Sequence, residues 1–125
     1  MEKLSSARQA FITLENGLHF AVEHELKRDA VIQRFEYTAD TTWKAAKEVL
    51  LRRYSLDVRF PKEAFQKCFL VGLVNEETCA ALLRLVDDRN ITAHTYSMAK
   101  AEEIYGRIPA HAATLGKLLS ALENA

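Results

Sequence analysis

Apolar residues recur at three- and four-residue spacing through almost the whole chain, and this periodicity limits the fold more than any other feature. Side chains at this spacing share one face of an α-helix. Only four glycines and two prolines occur, and no useful length alternates apolar and polar residues as a strand would. We therefore predict an all-α fold. The two clearest stripes are Leu4, Ala7, Phe11, Leu14, Leu18 and Ala21, and then Ile32, Phe35, Ala39, Trp43, Ala46 and Leu50.

Breaks in the periodicity divide the chain into five predicted helices. The second spans Asp29 to about Tyr54, and Pro61 suits the first position of the third, where its missing N–H would be unpaired anyway. Acidic residues after Asn75 favour the start of a fourth helix. Ser97 is the predicted N-cap of a last helix, which Pro109 should kink. Short connections imply an antiparallel up-and-down bundle of four main helices plus one short or kinked helix.

Length and charge fit one soluble domain over residues 1–125. Seventeen basic and seventeen acidic residues cancel, so no overall field attracts nucleic acid or an anionic membrane, and any RNA contact must come from a local patch. No window approaches the roughly 18 apolar residues that cross a bilayer, and we expect a cytoplasmic protein. Cys68 and Cys79 lie in apolar helical patterns without a C-x-x-C pair, so both are expected in the core.

A polar segment near the end of the fourth helix contains the pattern R-N-x-x-x-H-x-Y, formed by Arg89, Asn90, His94 and Tyr96. Arginine, histidine and tyrosine at these spacings are expected by chance about 0.01 times in a chain of this composition. Five residues on a helix correspond to about 500°, so Arg89 and His94 would point roughly 140° apart. A bulge, a helix end or a second subunit must bring them together.

If the two side chains converge, their chemistry suits RNA cleavage. A histidine can carry a proton to or from a ribose oxygen at neutral pH, and Arg89 offers a planar set of donors to a phosphate. That reaction needs no metal or cofactor, and neither is predicted. His19 and His24 are five residues apart, which misses the i, i+4 spacing of helical metal ligands.

Structural interpretations of the same residues remain open. Arg89 could simply pair with Asp87 or Asp88, His94 could be a hydrogen-bonded histidine at a helix end, and Tyr96 an ordinary half-buried ring. Other conspicuous side chains are expected to be structural or solvated. These are Trp43 and His111, both predicted to pack, and the basic group Arg52, Arg53, Arg59 and Lys62.

The motif over 88–96 resembles the signature of the HEPN family, in particular the small proteins that partner a minimal nucleotidyltransferase. The resemblance extends to Gln33–Thr38, Trp43–Lys44 and Pro61. It implies an antiparallel helical bundle that forms a homodimer, with the motifs of the two subunits close to each other across a two-fold axis.

The resemblance also implies a role for each motif residue. Arg89 and His94 would be catalytic, binding phosphate and transferring a proton, with Asn90 and Asp88 in support. Tyr96 would be the residue that the partner nucleotidylates in toxin-like members.

Two functions follow from the resemblance, and the motif alone does not separate them. The first is a metal-independent endoribonuclease toxin controlled by a cognate nucleotidyltransferase antitoxin. The alternative is a non-catalytic substrate-binding subunit of a two-component nucleotidyltransferase. The chain departs from the family pattern at Asp40-Thr41-Thr42, which replaces a more apolar run, and at Cys79-Ala80. We expect these changes to affect packing and leave the site intact.

Overall fold

The computed structural model describes residues 1–94 and 97–125, except for the side chain of His94. Within that part of the chain all regular structure is helical, which confirms the all-α prediction. Four long helices and one short helix follow one another. They are α1 (Glu2–Leu18), α2 (Glu25–Tyr54), α3 (Pro61–Leu70), α4 (Glu76–His94) and α5 (Met98–Glu123).

Side-chain caps mark the starts of α2 and α5. α2 begins four residues before the predicted start, because the His24 side chain accepts a hydrogen bond from the backbone N–H of Leu26 at 3.1 Å. Ser97 caps α5 as predicted, with its hydroxyl accepting from the N–H of Lys100. α5 then continues through Pro109. Ala21, which the first apolar stripe included, lies beyond the end of α1 and is exposed.

The 30-residue helix α2 is the central element, since it packs against each of the other four helices. Its inward face and those of its neighbours form one continuous apolar core. The largest fully buried side chains include Leu14, Phe35, Leu50, Phe65, Leu82, Leu85, Ile104, Ile108, Leu115 and Leu119.

Both cysteines lie in this core, as predicted. Burial raises the pKa of the Cys68 thiol to about 12, so it stays protonated and packs as a small apolar group. None of the described helices has the length and hydropathy needed to cross a membrane.

Helix α4 positions the predicted site because it packs against α2, α3 and α5. Leu82, Leu85 and Val86 bury its apolar face. The polar residues that follow Val86 therefore begin where the helix still lies against its neighbours. Asp88 is buried and Arg89 half-buried there, whereas Asp87 and Asn90 are exposed.

Candidate functional site

The guanidinium of Arg89 lies between α4 and α2, where it binds two carboxylates. Asp40 accepts a bidentate pair of hydrogen bonds, from Nε to Oδ1 at 3.0 Å and from Nη2 to Oδ2 at 2.9 Å. Glu36 accepts a third, from Nη1 to Oε2 at 3.1 Å. Glu36 and Asp40 are four residues apart on α2 and so occupy the same face of that helix. α2 thus presents an acidic pair to the arginine of the motif.

Thr92, one turn further along α4, completes what we call the Arg89 cluster: Arg89, Glu36, Asp40 and Thr92. The threonine hydroxyl lies 2.7 Å from the carbonyl oxygen of Arg89 and 3.1 Å from Oε2 of Glu36. The Arg89 side chain keeps 24% of its surface exposed. It is therefore fixed in direction and still reachable from solvent.

The electrostatics of the cluster favour a permanently charged arginine. The hydrogen bonds from Arg89 to Asp40 raise the pKa of the guanidinium, and the charges of Asp40 and Glu36 act in the same direction. One positive charge thus faces two negative ones. A phosphate that binds Arg89 must either use the remaining exposed edge of the guanidinium or displace a carboxylate.

The interpretation that Arg89 pairs with Asp87 or Asp88 was wrong. Asp87 instead binds Lys62, with Oδ1 2.7 Å from Nζ. Successive residues of a helix point about 100° apart, and here Asp87, Asp88 and Arg89 meet α3, α5 and α2 respectively. The expectation that Asp40 affects only packing was also wrong, because Asp40 binds the motif arginine directly.

Asp88 belongs to a second cluster, together with Arg107 and His111 of α5. Arg107 donates to both carboxylate oxygens, from Nε at 2.8 Å and Nη2 at 2.9 Å, and Nε2 of His111 lies 2.6 Å from Oδ2. The His111 ring stacks on Phe35, with centroids 5.3 Å apart. His111 is therefore a packing residue, as predicted, and Asp88 joins α4 to α5.

Two opposing effects set the pKa of Asp88. Burial in the interface works to raise it, whereas the hydrogen bonds and charges of Arg107 and His111 work to lower it. The partners outweigh burial, so the pKa lies below its usual range. Asp88 is thus an ionised anchor in the folded protein at neutral pH.

The other motif residues are placed only in part. α4 is helical without interruption from Arg89 to His94. A bulge between them therefore does not bring the two side chains together. The side chain of His94 and all of Tyr96 lie outside the described residues. Asn90 is exposed and, with Arg89 and Trp43, lines a pocket of about 130 Å³.

A larger pocket adjoins the same cluster between α2 and α5. It has a volume of about 230 Å³ and includes Glu36 and Thr92 in its lining. Among the described side chains, no group of three or more His, Cys, Asp or Glu residues is arranged to hold a metal ion.

Sequence reasoning missed Glu36, Asp40 and Thr92 as members of the site. The available signal was the i, i+4 spacing of two acidic residues on α2, together with the departure of Asp40 from the apolar family pattern. A carboxylate at a position that should face a neighbouring helix requires a partner, and Arg89 is that partner.

Comparison with known proteins assigns nearly the whole chain to one family. The family model described as "Nucleotidyltransferase substrate binding protein like" matches residues 2–124. A crystal structure of a Thermus thermophilus protein is 35% identical, with a TM-score of 0.87 over 93% of this chain and 98% of that one. Among curated proteins, none gives a significant match.

Two further solved structures share the fold at lower identity. One is a tri-AMPylated HEPN toxin of Shewanella oneidensis in complex with its MNT antitoxin, with 12% identity, a TM-score of 0.80 and coverage of 99% of this chain and 96% of that one. The other is a Haemophilus influenzae protein described as revealing the fold of a nucleotidyltransferase substrate-binding domain. It is 21% identical, with a TM-score of 0.78 and coverage of 96% and 98%.

Proposed function

Since the chain belongs to the nucleotidyltransferase substrate binding protein like family, of HEPN type, we propose that it is the toxin of a toxin–antitoxin pair. Its activity would be metal-independent endonucleolytic cleavage of RNA, and a cognate nucleotidyltransferase would be the antitoxin. The family match and the R-N-x-x-x-H-x-Y motif support this proposal. The Shewanella toxin and antitoxin provide a precedent for such a pair on this fold.

The geometry of Arg89 is the observation that carries the proposal. Three hydrogen bonds that it donates to α2 carboxylates fix its guanidinium, while 24% of the side chain stays exposed beside a pocket that includes Asn90. An arginine held in one orientation loses little conformational entropy when it binds a phosphate through its open edge. A surface arginine in a simple ion pair would lack this preorganisation.

In the proposed reaction, the ribose 2′ oxygen attacks phosphorus and the bond from phosphorus to the 5′ oxygen breaks. The products are a 2′,3′-cyclic phosphate and a free 5′ hydroxyl. One proton leaves the 2′ oxygen and one reaches the 5′ oxygen, and the imidazole of His94 can carry either of them. Arg89 would stabilise the negative charge that builds on the phosphate oxygens.

A homodimer would bring Arg89 and His94 to a common site. Along one α4 the two positions point about 140° apart, so the second subunit can supply the histidine that faces a given arginine. Mixing Arg89→Ala chains with His94→Ala chains tests this arrangement. Cleavage by the mixture, with none by either variant alone, is the expected result for a site shared between subunits.

Control by the partner would act at Tyr96, two residues beyond His94. A nucleotide attached there would add phosphate charge and bulk next to the motif, which would repel the RNA backbone and crowd the histidine. Inhibition would then need no change of fold.

One observation favours the non-catalytic alternative. Asp40 and Glu36 already occupy most donors of Arg89, as they would in a purely structural ion pair. In that case the chain is the substrate-binding subunit of a two-component nucleotidyltransferase, the role described for the Haemophilus domain.

Expression of the chain without any partner separates the two functions. The toxin hypothesis predicts growth arrest and RNA cleavage by the wild type and by Tyr96→Phe, and neither by His94→Ala. Arg89→Ala should also be inactive. Arg84→Ala is its control, because Arg84 is an exposed arginine of the same helix. A harmless wild type that co-purifies with a nucleotidyltransferase would instead support the subunit.

A further inference from the structure

A pocket between the first turns of α5 and the facing stretch of α2 adjoins the Arg89 cluster, and we call it the α2–α5 pocket. Its lining includes Ile32 and Glu36 of α2, Thr92 of α4, and Met98, Ala101 and Ile104 of α5, together with further charged residues. We propose that it binds one nucleobase of the RNA and favours bases that carry an exocyclic amino group. This inference rests on the proposed function and adds a base preference to it.

The size of the pocket suits a single base. Its volume is about 230 Å³, whereas pockets for drug-sized ligands start at about 300 Å³. Proteins that read RNA sequence usually take one unstacked base at a time into such a recess.

The walls of the pocket suit the faces of a base. Ile32 on α2 is half-buried, and on α5 Ala101 is half-buried and Met98 exposed, so these three present apolar surface to the pocket. Ile104, one turn after Ala101, is almost fully buried. Ala101 leaves room where a larger residue would fill the gap between the two helices. Apolar side chains from two facing helices can contact the faces of a flat aromatic ring.

Glu36 supplies the selectivity at one end of the pocket. It lies one turn beyond Ile32 on the same face of α2, and both hydrogen bonds that it accepts from described residues go to Oε2. Its other oxygen, Oε1, can accept a hydrogen bond from the exocyclic amino group of adenine, cytosine or guanine. Uracil offers only one N–H on that edge, between two carbonyl oxygens. A carboxylate repels these oxygens.

The same carboxylate connects the pocket to the proposed phosphate site. Oε2 of Glu36 lies 3.1 Å from Nη1 of Arg89 and 3.1 Å from the Thr92 hydroxyl. A base held against Glu36 therefore belongs to a nucleotide beside Arg89, where its own phosphate or the next one can bind. Two cations, Arg28 and Lys100, also line the pocket. Arg28 is paired with Asp29 and Glu102, and Lys100 with Glu103, so neither adds an unpaired positive charge to the pocket.

Binding of short, uniform, fluorescently labelled oligoribonucleotides tests the proposal without relying on cleavage. Fluorescence anisotropy should show that the wild-type chain binds oligoadenylate and oligocytidylate about fivefold more tightly than oligouridylate, the effect of one hydrogen bond to a charged acceptor at a partly open site. Ala101→Leu fills the pocket and should remove the preference. Ala99→Leu, on the exposed side of the same helix, should retain it.

Glu36→Gln provides a second, independent variant. An amide can both donate and accept, so the three oligonucleotides should bind with similar affinity. Circular dichroism spectra that match the wild type would show that each variant is folded.

Equal binding of all three oligonucleotides by the wild type, or an unchanged preference in Ala101→Leu, would overturn the base pocket. These outcomes are distinct from failure of the proposed function. If the chain discriminates between bases but never cleaves RNA, the base pocket is supported and the nuclease is excluded. If it cleaves RNA but binds all bases equally, the nuclease is supported and the base pocket is excluded.

Discussion

Asp88 and Arg89 are consecutive residues of α4, yet each is bound by a different helix. Asp88 receives hydrogen bonds from Arg107 and His111 of α5, while Arg89 donates to Glu36 and Asp40 of α2. The step of about 100° between neighbouring helical residues makes this division possible. The two ion pairs fix the rotation of α4 about its own axis, and with it the direction in which the motif arginine points.

The Asp88→Asn substitution should lower the free energy of unfolding by about 2–3 kcal/mol, because it removes the buried charge that binds His111 and Arg107 at the interface of α4 with α5. Asp87→Asn is the matched control: Asp87 is exposed and pairs with Lys62, so its loss should cost less than about 1 kcal/mol. Urea denaturation monitored by circular dichroism measures both. Equal losses in the two variants would show that Asp88 does not anchor the helix.

The stability of the protein should fall in acid, with Asp88 as one cause. Its pKa is lower in the folded chain than in the unfolded chain, so the folded state binds fewer protons. The stabilisation from its ionised form is complete at neutral pH and is lost as the pH falls below about 4. Urea midpoints across this range should decline less steeply in Asp88→Asn than in the wild type. Parallel curves would contradict this account.

Asp40→Asn should strengthen RNA binding, because it removes one of the two negative charges that compete with phosphate, while the amide oxygen can still accept a hydrogen bond that orients Arg89. We expect the affinity to rise about threefold at low salt, since the pair is partly exposed and its charges are screened. Asp57→Asn makes the same change in net charge at an exposed site. Anisotropy titrations that show equal effects for the two variants would exclude a specific role for Asp40.

Thr42→Val should stabilise the fold by about 1 kcal/mol. The Thr42 side chain is fully buried, and among the described residues its hydroxyl oxygen has no hydrogen-bond partner. Thr38→Val is the control, since the equally buried Thr38 donates to the carbonyl oxygen of Arg34 at 2.6 Å. Thermal unfolding should show a higher midpoint for the first variant and no gain for the second.

Helices were predictable from the sequence because each carries its own apolar stripe and its own start signals, as at Pro61 and Ser97. The start of α2 was harder, since His24 is not a common N-cap and acts through the orientation of its ring. Local sequence signals predict the start of a helix only where the cap residue is a typical one.

The partners of the site residues were less predictable, because they come from distant parts of the chain. Arg89 binds residues 49 and 53 positions away, and Asp88 binds residues 19 and 23 positions away. Helical periodicity shows which face of a helix is apolar but not which neighbour a polar side chain meets. The motif therefore identified Arg89 as a candidate, while its partners Glu36 and Asp40 became evident only from the packing of α2 against α4.

Cleavage of end-labelled RNA by the purified chain, in the presence of a chelator and without a partner, tests the proposed function most directly. The account predicts that the wild type cuts RNA and leaves 2′,3′-cyclic phosphate ends, and that His94→Ala slows cutting by about 100-fold or more. Arg84→Ala should cut as the wild type does. Intact RNA with the wild-type chain, or equal cleavage by His94→Ala, would contradict it.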